Sequence, residues 1–267
     1  MLLADGQHVT CSPTENADLY SFAMGGYGMF GIITELEMDM VPNSRLDPTY
    51  TTMPGKDFGE AFLKAIRDNP DIQMAYGRMD VTIDGFFEEA LMITYKPNAA
   101  QSDIPAAAGS RFISKTSRDI FRQQPGSDRW KTLRWGIESG LNPFISSGSS
   151  TRNSLMNEPV VTLDDKDPAR TDILHEYFVA PDRFGDFLAL CREVIPQSYQ
   201  EMLNITLRYV AADPVSVLAY APVPRIATVM SFSQEMTARA EADMAWMTGR
   251  MIEGMIELGL SGDQFYL

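Results

Sequence analysis

The chain has 267 residues, 22 Lys and Arg against 36 Asp and Glu, and a formal net charge of −14. That length holds one large domain or two modest ones, and the acidic balance argues against nucleic acid and anionic membrane surfaces, which need clustered cations. Two cysteines (Cys11, Cys191) cannot build a disulfide framework or by themselves a four-ligand zinc site, and only two histidines (His8, His175) argue against histidine-rich metal chemistry, so no metal is expected.

Met1-Leu2-Leu3 meets Asp5 at once, without the basic start and apolar core of a secretory leader. No apolar run approaches the roughly 18 residues of a spanning helix. The expectation is a cytoplasmic protein without a membrane span. Both ends read as cut: the start runs straight into a turn, and Gln264-Phe265-Tyr266-Leu267 stops in what reads as a strand.

Ala4-Asp5-Gly6 is a turn signal, and His8-Val9-Thr10-Cys11 can return as a strand. A short helix follows over 17–24, then a glycine-rich loop. In 32–41, Leu36, Met38 and Met40 alternate with Glu35, Glu37 and Asp39, the pattern of a half-buried strand. The Pro- and Thr-rich stretch 47–55 reads as a linker and a domain boundary. Asp57 and Glu60 are spaced for a capping box before a helix that carries Phe58, Phe62 and Ile66 on one stripe. Strands are expected over 72–79 and 87–95, a Pro/Ala/Ser-rich loop over 96–110, and a packed helix around Trp130 and Trp135. The Ser/Gly run 146–150 reads as a mobile loop.

The last third is clearer. A strand over 173–179 precedes an amphipathic helix over 181–195, with Phe184, Phe187, Leu188, Cys191 and Val194 on its apolar face. Strands over 202–210 and 226–232 lead to a long methionine stripe from Met236 to Met255. The chain then re-enters a strand at 265–267. The order predicts an α+β fold, an antiparallel sheet covered by helices on one face. Short-period repeats are absent, although a strand–helix–strand unit occurs twice, loosely, in this last third.

Several side chains have plain structural readings. His175 shares a face with Ile173, Tyr177 and Val179 and reads as a satisfied structural residue. The methionines read as core, and Cys191 as an inert buried thiol. Asp164-Asp165-Lys166-Asp167 is an acidic turn without the ligand spacing of a calcium loop.

Two segments carry chemistry. Gly26-Tyr27-Gly28-Met29-Phe30-Gly31 matches G-x-G-x-x-G, but a helix precedes it and a strand follows. That order is the reverse of a dinucleotide fold, and we reject the Rossmann reading. Four glycines in seven residues still allow positive φ and close approach of another body to bare backbone; a tight helix-to-strand connection is the plain alternative. The second segment is 203–209. Leu203, Ile205, Leu207 and Tyr209 fall on one face, and Asn204, Thr206 and Arg208 on the other. An amide, a hydroxyl and a guanidinium in a row suit a polar substrate. A solvated strand face is the alternative.

Ala4-Asp5-Gly6, Asp18-Leu19-Tyr20 and the run Gly25-Gly26-Tyr27-Gly28-Met29-Phe30-Gly31-Ile32-Ile33-Thr34 resemble, in order and spacing, the end of a flavoenzyme domain. It is the FAD-binding domain of the vanillyl-alcohol oxidase / p-cresol methylhydroxylase (PCMH) type. Tyr20 stands where that family usually has Phe. The resemblance covers about residues 1–42. It implies that residues 1–46 are the C-terminal part of a PCMH-type FAD-binding domain and 47–267 a substrate-binding cap domain. It also implies FAD as cofactor, held at Gly26, Gly28, Phe30, Gly31, Ile32, Ile33 and Thr34.

Glu176-Tyr177-Phe178-Val179-Ala180-Pro181 and the strand 204–213 resemble the cap strands of sugar-alcohol and aldonolactone oxidases. There a glutamate and an arginine face the flavin. Arg208 matches the arginine, and Thr206 replaces the glutamate, which leaves the substrate open. The resemblance implies an oxidoreductase passing a hydride from a C–OH or similar carbon of a small polar substrate to flavin, with a separate electron acceptor. Asn204, Thr206 and Arg208 would serve the reaction, and Arg208 would reach the flavin from the opposite sheet. Because the family's diphosphate loop precedes the matched segment, the chain alone is expected to bind FAD weakly or not at all. The second reading is a non-catalytic partner subunit of a split flavoenzyme, whose second chain carries the rest of the FAD site.

Overall fold

A computed structural model describes residues 1–104, 119–141, 150–157 and 167–260. The Ser/Gly loop at 146–150, the acidic turn at 164–167, the strand at 265–267 and part of the 96–110 loop lie wholly or largely outside the described residues. Contacts divide the chain into two compact units, Met1–Pro42 with Val210–Pro224, and Asn43–Tyr209 with Arg225–Leu267. The return of Val210–Pro224 to the first unit has no signal in the sequence.

The first unit is small and loop-rich. Helix α1 (Ala17–Ala23) buries none of its residues. Leu2 forms isolated bridges with His8 and Ile32, and Val217 N donates to Ser21 O at 3.0 Å. Two expected strands are corrected here. Residues 8–11 pair only at His8, and 32–41 only at Ile32. Leu36, Met38 and Met40 are 59%, 67% and 86% exposed. Their alternation supplies an apolar face but no ladder partner among the described residues, and an unpaired strand does not hold.

The second unit is built on a sheet in the order β4-β1-β3-β2-β6-β7-β5. The strands are β1 (Arg45–Pro54), β2 (Met74–Met79), β3 (Glu89–Pro97), β4 (Ser150–Thr151), β5 (Arg170–Val179), β6 (Glu201–Val210) and β7 (Arg225–Glu235). The ladders β1–β3, β1–β4, β2–β3, β2–β6 and β5–β7 are antiparallel. The α+β expectation with an antiparallel sheet therefore holds. The expected linker at 47–55 is instead most of β1. Its Thr and Tyr residues favour strand. Its Pro48 is tolerated because β4 pairs only with Arg45 and Leu46, leaving the rest of β1 at an edge.

Helices α2 (Phe58–Asp68), α5 (Phe184–Val194) and α6 (Ala238–Glu257) build the main core. Phe58, Phe62, Phe184, Phe187, Met247 and Met251 meet Met79, Ile205, Leu207, Ile226 and Phe232 there. Thr237 caps α6, its hydroxyl accepting from Ala240 N at 3.2 Å. The stripe therefore starts at Ala240, and Met236 is exposed. The expected capping box at Asp57 does not form: a 3-10 turn at Gly55–Asp57 winds into α2, and the Asp57 side chain makes no capping bond. One-sided cover is also corrected. Trp135 of α3 (Asp128–Trp135) and Leu155 of α4 (Arg152–Met156) pack on the opposite face against a cluster of Leu46, Leu91, Ile93 and Tyr95.

The sheet has an internal duplication. Each half runs strand, three-residue 3-10 turn, eleven-residue helix and two strands: β1, Gly55–Asp57, α2, β2, β3, then β5, Pro181–Arg183, α5, β6, β7. The sheet order is symmetric about the β2–β6 seam, apart from the added β4. Phe58-Gly59-Glu60 in one half matches Phe184-Gly185-Asp186 in the other. The two phenylalanines meet across the seam, their ring centroids 5.8 Å apart. Gly59 allows this approach: a Cβ there would stand 2.3 Å from Pro181 O and 2.6 Å from Phe184 Cβ. Gly185, its counterpart, has nothing nearer than 3.7 Å.

That asymmetry gives a direct test. Gly59→Ala overpacks the seam and should cost about 1–3 kcal/mol. Gly185→Ala should be neutral or stabilising by up to about 1 kcal/mol through helix propensity. Urea unfolding midpoints measure both, and equal losses at the two positions would show that the seam is not tightly constrained.

Candidate functional site

In the first unit, the loop after α1 bends through left-handed backbone at Gly25, Tyr27, Gly28 and Gly31. The ring of Phe30 packs back on Phe22, centroids 4.9 Å apart. Gly31 is required twice over. Its φ is 135°, and a Cβ would lie 2.7 Å from Leu2 O. The fold leaves a concavity of about 330 Å³ lined by Met1, Ala23, Gly26, Gly28, Phe30, Gly31, Ile32 and Ile33. Its size is at the lower end of small-molecule sites, about 300–1,000 Å³. Six of the seven expected cofactor residues thus surround one hollow, whereas Thr34 is exposed and does not line it. The backbone N–H groups of Gly28, Phe30, Gly31 and Ile33 have no partner among the described residues. No cationic side chain lines the hollow.

In the second unit, β6 presents its residues as the alternation predicts. Leu203, Ile205 and Leu207 are buried, Asn204 and Thr206 half-buried, and Arg208 exposed. Two arginines outside the predicted site residues complete this polar face. Arg78 stands opposite Thr206 in register and donates from Nη1 to Thr206 Oγ1. Its guanidinium lies 5.3 Å from the centroid of the Tyr76 ring. Arg134 of α3 donates from Nη2 to Asn204 Oδ1 at 2.8 Å, from Nη1 to Leu203 O, and from Nε to Glu138 Oε1 at 2.9 Å. Asn204 Nδ2 then donates to Thr206 Oγ1 at 3.2 Å.

Electrostatics follow from burial. Desolvation pulls the Arg134 pKa down; Glu138 opposes this and Arg78 adds to it. Tyr95 stacks on Tyr76, centroids 6.3 Å apart. Burial raises the Tyr95 pKa far above the ordinary phenol value, so it stays neutral. Arg208 has no hydrogen-bond or ion-pair partner among the described residues. The loop residues and Arg208 belong to different units.

The residues read as structural sit in the core. His175 is buried, its Nδ1 3.4 Å from the Tyr177 hydroxyl and its ring centroid 5.3 Å from that of Phe232. Burial lowers its pKa. Cys191 is fully buried, which pushes its thiol pKa up. Among the described residues, no helix is long and apolar enough to cross a membrane, and no three His, Cys, Asp or Glu side chains gather as metal ligands.

No family model matches the chain. A 41-residue stretch is 42% identical to cytokinin dehydrogenase 9 of Oryza sativa subsp. japonica, covering 15% of this chain and 8% of that protein. Among solved structures, 6-hydroxy-D-nicotine oxidase from Arthrobacter nicotinovorans aligns with 99% of this chain and 55% of its own, at 10% identity and a TM-score of 0.49. A variant of berberine bridge enzyme described as a reticuline dehydrogenase aligns with 81% and 41%, at 10% identity and a TM-score of 0.39. The chain thus spans less than two thirds of each of these proteins.

Two measurements probe this geometry. Arg134→Met leaves Glu138 and the Leu203 carbonyl without their partner and should lower stability by roughly 3 kcal/mol, read as a fall in unfolding midpoint. His175 tests the core by pH. Its folded pKa lies below its unfolded value of about 6.5. As pH falls through that value the unfolded chain takes the proton first, so stability is lost in acid and is flat above about pH 7.5. His175→Leu should therefore lose less stability than the parent between about pH 7.5 and pH 5.

Proposed function

We propose that the chain works in an FAD-dependent oxidoreductase of the vanillyl-alcohol oxidase / PCMH type, its first unit holding the flavin ring and its second binding a small polar substrate. The observation that carries this reading is the hollow of the first unit. Its apolar lining suits the face of an isoalloxazine, and its unpartnered N–H groups suit the heteroatom edge. The loop motif 25–34 and the cytokinin dehydrogenase stretch support the same chemistry. A bound flavin would supply the hydride-accepting ring. The chain's own part is to present bare backbone at Gly28 and Gly31 and to orient the substrate with Asn204, Thr206 and Arg208. The electron acceptor is a further partner.

Because no cationic side chain lines the hollow and the Met1 ammonium is engaged by Val9 O, the ring and not the diphosphate should contribute the affinity. Riboflavin, FMN and FAD should then bind this chain weakly and within about tenfold of one another, followed by flavin fluorescence quenching. Gly28→Val, which puts a branched side chain into the open hollow at a φ of 72°, should abolish the quenching. Tight binding of FAD alone would overturn this account of the hollow.

The second reading, a non-catalytic subunit of a split flavoenzyme, is favoured by the exposed Leu36, Met38, Met40 and Val41. No quenching by any flavin, together with self-association in sedimentation, would decide for it.

A further inference from the structure

We infer that the polar face of the sheet around Arg78 and Arg208 is an oxyanion site, and that the substrate bound there carries a carboxylate. The substrate role rests on the redox reading above; the anion site does not.

The chain has 36 acidic residues against 22 basic ones, so a cation without an acidic neighbour is unexpected on such a surface. Yet among the described residues neither Arg78 nor Arg208 has a carboxylate within ion-pair distance. Arg78 pairs in register with Thr206, and Arg208 lies two residues further on the same face of β6. The two positions are therefore diagonal neighbours, within reach of one small ligand. Arg134 adds a third guanidinium and Glu138 the one carboxylate bonded to it. Tyr95, held neutral, supplies no negative charge. Glu89, diagonal to Arg78 through the Arg78–Leu91 pair, is engaged by Trp135 instead, so half-buried Arg78 has no bonded counter-charge, which is costly unless a ligand supplies one.

Hydrogen-bond polarity points the same way. Thr206 Oγ1 accepts from both Arg78 and Asn204, which fills its acceptor sites and leaves its O–H to donate outward. Asn204 Oδ1 is taken by Arg134, which fixes the amide and leaves the second N–H of Nδ2 as a donor. The face thus offers the remaining N–H groups of Arg78, the whole fork of Arg208, one hydroxyl proton and one amide proton. A face with this excess of donors favours a ligand that only accepts, and planar guanidinium forks match a carboxylate.

The test uses the flavin-free chain with benzoate, benzamide and inorganic phosphate as probes, followed by calorimetry and by the shift in unfolding midpoint. Benzoate should bind and stabilise. Benzamide, of the same shape but neutral, should bind about tenfold more weakly or worse. Benzoate affinity should fall with salt. Arg208→Gln removes a side chain with no partner among the described residues, so it should keep the unliganded midpoint while weakening benzoate about tenfold or more. Arg78→Gln should weaken benzoate similarly, with near-UV circular dichroism checking that the face is intact. Equal binding of benzoate and benzamide, unchanged binding by Arg208→Gln, or no benzoate binding would overturn the site. Phosphate binding in preference to benzoate would overturn the carboxylate assignment. Since no flavin is present, these results stand or fall apart from the flavin titration.

Discussion

The second unit depends on one close approach. Phe58 and Phe184 meet over the β2–β6 seam, and Gly59 lets the start of α2 sit against Pro181. This contact joins two half-sheets, each with its own helix, into one continuous sheet. It also fixes sidedness. Ile205 and Leu207 must point at α2, α5 and α6, so period-two geometry sends Asn204, Thr206 and Arg208 to the other side. The apolar demand of the core therefore creates the polar face as its complement.

That complement is not left to solvent. Trp135 packs beside Leu91 and Ile93, which anchors α3 over part of the second face and carries Arg134 to Asn204. The Trp135 indole N–H donates to Glu89 Oε2 at 3.0 Å, so the anchor is polar as well as apolar. A helix held at both its aromatic and its cationic side chain restrains the amide and hydroxyl of β6 in one orientation. Preorganised donors of this kind bind an incoming charge without reorganising.

The sequence was legible where packing and periodicity agree. The Phe58/Phe62 stripe, the α5 stripe and the alternation of β6 each follow from one apolar face meeting one core, and the structure forms all three. It misled where a pattern lacked a partner. Leu36, Met38 and Met40 alternate as a strand should, but a strand is a property of two segments, and pairing among the described residues stops at Ile32. The reverse error occurred at 47–55, where two prolines outweighed Thr and Tyr, although an edge position removes the penalty. Arg78 and Arg134 were missed because each belongs to an unremarkable local pattern and acquires meaning only across the sheet. The duplication was missed because little beyond Phe-Gly-acid and the helix-ending Pro70 and Pro196 aligns, and only topology makes it a repeat.

The two candidate sites illustrate two ways of making specificity. The hollow of the first unit is defined by absence: glycines at 28 and 31 withhold side chains, so backbone and apolar flanks do the recognising, and a flat apolar ligand is the natural fit. The face of the second unit is defined by saturation. Asn204 Oδ1 and Thr206 Oγ1 are already engaged by internal donors, and the guanidinium, hydroxyl and amide protons left over are donors. Removing Arg134 would do more than delete a charge. It would free Asn204 to turn and offer its oxygen outward, mixing donor and acceptor on a face that otherwise discriminates by polarity alone. A buried arginine that touches no ligand can thus set what the face selects, through the orientation of one amide.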